Sequence, residues 1–286
     1  MTSVTHRPTG RSSSLARARR RARIQLWGSV AVIATLVLYP YLFGWTLEPF
    51  STDAARVLEP PSAQHWFGTD RVGADLLSRT LWAGRTDLPL TLAATLLALV
   101  IGAPFGAWFG YSARLGERMM RLIDAFQALP LLILILALVA LSGGKAYMIV
   151  VAIVLYAAPS FVRVVRSEVL AVSTARYVEA ARAYGVSTPR ILIRHVLPNV
   201  TEIILAQAAL IAASAFLAIS SLSFLGVGVA PPTPTWGGMI ADSVSALISG
   251  IWWPTLFPGL AVFVNVVCFN LIANAIRSTG RSGELS

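Results

Sequence analysis

The sequence predicts an all-α, polytopic membrane protein of six transmembrane helices. Three observations carry that expectation. Of the 286 residues, 56% are hydrophobic and only 13% charged, with mean hydropathy +0.70, whereas an ordinary soluble domain carries about 25% charge. The apolar residues fall in six runs, and crossing a bilayer core takes about 20 helical residues. The basic residues gather in alternate connections between those runs. In a soluble chain a net charge of +10 would point to nucleic acid. Here the charge flanks apolar runs, which assigns it to a membrane surface, and no nucleic-acid partner is expected.

Residues 1–23 contain Arg7, Arg11, Arg17, Arg19, Arg20, Arg21 and Arg23, no acid, and interleaved Ser, Thr, Pro and Gly. This stretch reads as a disordered basic tail. The first apolar run, 24–43, is not closed by the small-x-small pattern of a cleavable signal. Tyr39-Pro40-Tyr41 and Gly44-Trp45 stand there instead, so the run reads as an uncleaved first span.

From 44 to 87 the composition turns polar, a length that in a bundle connection marks function. Gly68 and Gly73 predict turns, Asp70 a cap, and Leu76, Leu77, Thr80 and Leu81 an amphipathic strip suited to the membrane surface. His65 stands beside Trp66 but has no second ligand at a useful spacing, so no metal site is expected.

Residues 88–276 make the expected five-helix core, with apolar runs near 88–111, 122–141, 147–165, 200–225 and 254–276. Pro104, Pro130, Pro159 and Pro258 each remove a helical hydrogen bond and predict a kink or hinge. Asp124 and Glu202 fall near the inner ends of their spans and read as anchors that reach water or an arginine. Asn265, Asn270 and Asn274 recur along the last span, and Ser220, Ser221 and Ser223 cluster late in the fifth. Hydrogen bonding between helices and the lining of a polar path are both open readings of them. Cys268 is the single cysteine, so there is no disulfide framework. With a cytoplasmic N-terminus, 18 of the 23 basic residues lie inside, among them Arg114, Arg118, Arg121, Arg163, Arg166 and those of the tail 277–286. The opposite threading would put them outside, so both ends are expected in the cytoplasm.

The longest inner connection, 166–199, holds Glu179-Ala180-Ala181-Arg182-Ala183-Tyr184-Gly185 and then His195-Val196-Leu197-Pro198. Thr174 can cap a helix here, and Gly185 can take the positive φ that ends it. At 3.6 residues per turn Arg176, Glu179, Ala180 and Ala183 share one face, a carboxylate among small side chains that a partner can approach closely. Tyr177, Ala181 and Tyr184 share another, an aromatic stripe expected to pack on the parent protein. Thr188-Pro189 starts a second helix, which Pro198 interrupts before the next apolar run.

The order Glu-Ala-Ala, three residues, Gly, nine residues, x-x-Leu-Pro resembles the EAA loop of ABC-importer permeases. Glu179, Ala180, Ala181, Gly185, Leu197 and Pro198 match it, while His195 stands where that pattern usually has isoleucine. The stretch from His65 to Arg79 and the stretch from Ser221 to Met239 resemble the dipeptide, oligopeptide and nickel importers, C-type permease subunit. Asn274 departs from relatives that often carry Asp there. In the latter stretch Gly and Pro predict a stiff turn re-entering a helix, with Trp236, Trp252 and Trp253 suited to the interfacial belt.

The resemblance implies a type I importer permease fold in a bacterial inner membrane. It implies a heterodimer with a second permease, two cytoplasmic ABC ATPases, an extracytoplasmic substrate-binding protein, and di- or oligopeptide as cargo, with nickel or another small solute as the alternative. It further implies that Glu179, Ala180, Ala181, Gly185, Leu197 and Pro198 couple to the ATPases. The ATP and magnesium would be bound there, with no cofactor in this chain. The residues themselves offer no catalytic chemistry. Ser142-Gly143-Gly144-Lys145-Ala146 imitates a phosphate loop, but Val139 occupies its first glycine position and Ala146 replaces the Ser/Thr that magnesium needs. A proton- or ion-coupled secondary carrier would need deep titratable groups, of which there are few, and would leave the 166–199 connection without a role. A purely structural membrane anchor would leave it so too.

Overall fold

The computed structural model describes residues 9–44, 48–111, 113–143, 145, 147–173, 178, 183–191, 194 and 197–281. Nine α-helices occur among them: α1 (Thr9–Leu42), α2 (Leu76–Tyr111), α3 (Ala113–Gln127), α4 (Leu131–Leu141), α5 (Tyr147–Ser173), α6 (Thr188–Ile191), α7 (Leu197–Phe224), α8 (Trp236–Ile248) and α9 (Trp253–Arg281). Five of them, α1, α2, α5, α7 and α9, are long and apolar enough to cross a membrane, and α3 with α4 makes a sixth, bent span. The protein is an all-α, multi-pass membrane protein.

Three boundaries differ from the sequence reading. The basic segment is helical from Thr9. Its Leu15, Ala16, Ala18 and Ala22 alternate with arginines, all strong helix formers, and the apolar span downstream supplies the nucleus from which a helix propagates. The strip Leu76–Leu81 belongs to α2 itself, so that helix is about 54 Å long and extends well past the hydrocarbon core. The run 122–141 is not one helix. Pro130 is extended (φ −60°, ψ 129°), and the helices on either side meet at 78°. Proline lacks the N–H that would continue the ladder and drives the residue before it out of the α region. By contrast Pro104, Pro159 and Pro258 lie within unbroken helices.

Packing runs through α2 and α7, which contribute to all four apolar clusters of the bundle. Between helices in lipid there is little hydrophobic drive, so close backbone approach and dispersion hold them. Gly102, Gly106 and Gly110 form a ladder of one small residue per turn along α2, against α5. A Cβ on them would come within 2.5, 2.7 and 2.8 Å of atoms around Ala158, Val162 and Val169 respectively. Their absence of side chains lets the two backbones touch. The opposite face of α2 carries exposed Leu96, Val100 and Trp108, as suits lipid.

Candidate coupling connection and outer clasp

The connection between α5 and α7 is described at Val178, 183–191 and Arg194; Glu179, Ala180 and Ala181 lie outside the described residues. Val178 and Ile191 are buried against Val165, Val169, Val200 and Ile204, which pins both limbs of the connection to the ends of α5 and α7. Gly185 has φ +74°, the left-handed value at which a helix stops at little cost only with glycine. Tyr184, expected to pack inward, is 89% exposed. The reversal at Gly185 turns it outward, and Val178 takes the inward position that the aromatic stripe was assigned. Ala183 is exposed beside it. Pro198 occupies the first turn of α7, where its missing N–H costs nothing.

At the other end of the bundle, 48–75 folds as a clasp. Asp70 Oδ1 accepts the N–H groups of Val72 and Ala74, both at 2.9 Å. Asp70 Oδ2 meets Arg79 Nη1 at 3.2 Å. His65 Nδ1 lies 2.9 Å from Asp75 Oδ1, and Arg56 Nη1 lies 3.1 Å from His65 Nε2. Arginine is only a donor, so Nε2 accepts from Arg56 and Nδ1–H donates to Asp75. His65 is thus engaged as a structural link. No group of three or more His, Cys, Asp or Glu able to hold a metal occurs among the described residues. Phe67 stacks on Phe257 at 4.0 Å, and Gly68 sits against Trp253, so the clasp grips the start of α9.

Asp87 is fully buried inside α2. Its Oδ2 accepts the Trp236 N–H at 2.9 Å, at the N-terminus of α8, where the helix dipole favours a carboxylate. Thr235 caps the same helix through Gly238 N–H. Trp236 correspondingly packs inside the protein. Its ring is wholly buried beside Phe216, and its Nε1–H donates to the Thr80 carbonyl at 2.9 Å. The sequence signal for this tie was an acid abutting an apolar run, and for the helix contact the G-x-x-x-G-x-x-x-G spacing in α2.

At the bend of the third span, Asp124 Oδ1 pairs with Arg163 Nη2 at 2.6 Å. Arg163 also donates to Gln127 Oε1 at 2.7 Å, and Gln127 Nε2 donates to Ser160 Oγ and the Tyr156 carbonyl, both at 3.3 Å. Asp124 thus reaches an arginine as expected, and Glu202 is exposed. Asn265 and Asn270 donate to carbonyls of their own helix, Ala261 and Val266.

The chain matches the family described as binding-protein-dependent transport system inner membrane component, over residues 98–279, from the middle of α2 to the end of α9. It belongs to that family. This member is 35% identical over 254 residues to the dipeptide transport system permease protein DppC of Bacillus subtilis, covering 86% of this chain and 79% of the relative. It is 36% identical to the probable D,D-dipeptide transport system permease protein DdpC of Escherichia coli, covering 86% and 84%. With the glutathione transport system permease protein GsiD of Pectobacterium atrosepticum it shares 34% identity, covering 86% and 81%. Among solved structures, the MetNI methionine ABC transporter in inward-facing conformations superposes with TM-score 0.53 at 17% identity, covering 70% of this chain and 95% of that one. The shared fold is that of a type I ABC importer permease.

Proposed function

We infer that this chain is one of two permease subunits of an ATP-driven bacterial importer of short peptides, forming half of the path across the inner membrane. The observation that carries this reading is the 35% identity, over 86% of the chain, to a dipeptide permease. Relatives are named for dipeptide, D,D-dipeptide, glutathione and, more broadly, peptide transport. A binding protein delivers the peptide from outside, and two cytoplasmic ATPases hold the ATP and magnesium, so this chain performs no catalysis. Both termini and the 166–199 connection face those ATPases.

In this reading Glu179 is the docking carboxylate, Ala180 and Ala181 keep the approach close, and Gly185 ends the helix. Leu197 and Pro198 open α7. The connection's described limbs are fastened by Val178 and Ile191 to the ends of α5 and α7. A push on it therefore acts on two spans together, and α5 is continuous from Tyr147 to Ser173. The test is uptake in vesicles. Glu179→Lys and Gly185→Val should reach the membrane in normal amount yet lose peptide uptake and peptide-stimulated ATP hydrolysis. Normal uptake with either variant refutes the coupling assignment, and nickel uptake without peptide uptake by the unaltered complex refutes the cargo.

A further inference from the structure

A cleft of about 170 Å³ opens between α4, α5 and α7, below the bend of the third span. On α5, Tyr156 and Ser160 line it one turn apart, and Arg163 continues the same stripe. On α7, Gln207 and Ser214 line it, two turns apart. Gln127 closes the bend end, tied to Ser160 and Arg163. Two helices thus bring these polar groups, interleaved with Ile153, Ala157, Leu210 and Ile211, to one space. Val151, Leu155 and Leu205, on other faces of the same helices, are exposed and apolar.

Amide and hydroxyl groups facing hydrocarbon would be costly, and this segregation places them against something polar. Ser214 satisfies its hydroxyl proton on the Leu210 carbonyl. The Gln207 amide makes no side-chain hydrogen bond among the described residues, so its two donors and its acceptor are free for a ligand.

We propose that Gln127, Ser160, Gln207 and Ser214 are the surface of this chain that a peptide touches in transit; this rests on the importer reading above. The chemistry fits that occupant. Each peptide residue presents one N–H donor and one C=O acceptor, and a carboxamide matches both at once. No described residue lining the cleft is charged, so it binds backbone without selecting side-chain charge. A bare metal ion would want imidazole, thiolate or carboxylate ligands instead. Farther along α7 lies a second, open groove of about 390 Å³, lined mainly by apolar residues such as Leu132, Leu217 and Phe224, with Ser220 and Ser221 among them. From Gln207 to Phe224 is about 26 Å of helix, near the thickness of a bilayer core. The two grooves together therefore line α7 over a length close to that of a bilayer core.

The test uses the whole complex in liposomes, with partner permease, ATPases and peptide-loaded binding protein, and labelled dipeptide as cargo. In a Cys268→Ala background, S160C and S214C should react with a hydrophilic maleimide in at least one nucleotide state, and alkylation should stop uptake. Gln207→Leu should lower peptide uptake per ATP hydrolysed by about fivefold, the effect of losing one neutral hydrogen bond, and Gln207→Asn should restore part of it. Thiols that react only with a lipophilic maleimide show a lipid-facing surface and overturn the proposal. Thiols that only cross-link to the partner permease show a subunit interface and overturn it too, as does uptake that survives full alkylation. An unaltered complex that hydrolyses ATP but moves no dipeptide overturns the peptide reading itself, an outcome distinct from loss of the lining alone.

Discussion

Asp87 and Trp236 are held together across 149 positions of sequence, and the pair shows what a single side chain does in this bundle. The carboxylate replaces the missing intrahelical partner of an α8 amide, while Thr80 takes the indole N–H. Asp87→Ala leaves a buried donor unpaired, which costs about 1–3 kcal/mol. It should lower the thermal midpoint of the detergent-purified protein, whereas Asp87→Asn, which keeps an acceptor oxygen, should lose less than half as much. Equal losses in the two variants would show that the oxygen contributes nothing beyond space-filling. Nothing near Asp87 in the sequence names its partner. Gly185 is the opposite case: its left-handed φ was legible from its place after a helix-forming string, because the conformational constraint is local.

At the scale of elements, the contact between α2 and α5 depends on what is missing from Gly102, Gly106 and Gly110. A Cβ at Gly106 would stand 2.7 Å from the Val162 carbonyl oxygen, so even a methyl forces the helices apart. Gly106→Leu should cost about 1–3 kcal/mol or more, read as a lowered midpoint and poorer recovery of folded protein. Gly106→Ala should show a smaller loss of the same sign. Gly259→Ala is the matched control. That glycine also lies within a helix but its Cβ would meet nothing within 4 Å, and removing backbone freedom from the unfolded chain should leave stability unchanged or raised. An equal loss at both glycines would assign the effect to helix propensity and remove the close-contact explanation. Four prolines carried the same sequence signal, but only Pro130 breaks its helix. The local hydrogen-bond deficit is alike at each; whether the neighbouring helices absorb it is a tertiary matter.

For the whole molecule, the charge distribution demands a single orientation. Cysteines placed singly at Ser62 and Thr233, in a Cys268→Ala background, should react with an impermeant thiol reagent added outside intact cells, and one at Ser187 should not. The reverse pattern would invert the topology and with it the assignment of the 166–199 connection to the ATPases. Ser62 lies in the clasp that precedes α2, Thr233 in the turn that precedes α8, and Ser187 just after Gly185. The three sites therefore sample both ends of the bundle.

Apolar run length, proline and glycine positions, and the side on which arginines accumulate are properties of the chain taken a turn or a span at a time. The all-α class, the span count and the 166–199 connection follow from them, because bilayer thickness and backbone hydrogen bonding act on each segment separately. The 78° bend, the inward turn of Val178 with Tyr184 left outside, the burial of Trp236 on Asp87, and the cleft shared by α5 and α7 were decided only by the assembled structure. Each of these depends on which helix face meets which neighbour. Helical periodicity marks a face, but it does not name the face's partner, and the free energy of a buried carboxylate or a missing side chain exists only once that partner is in place.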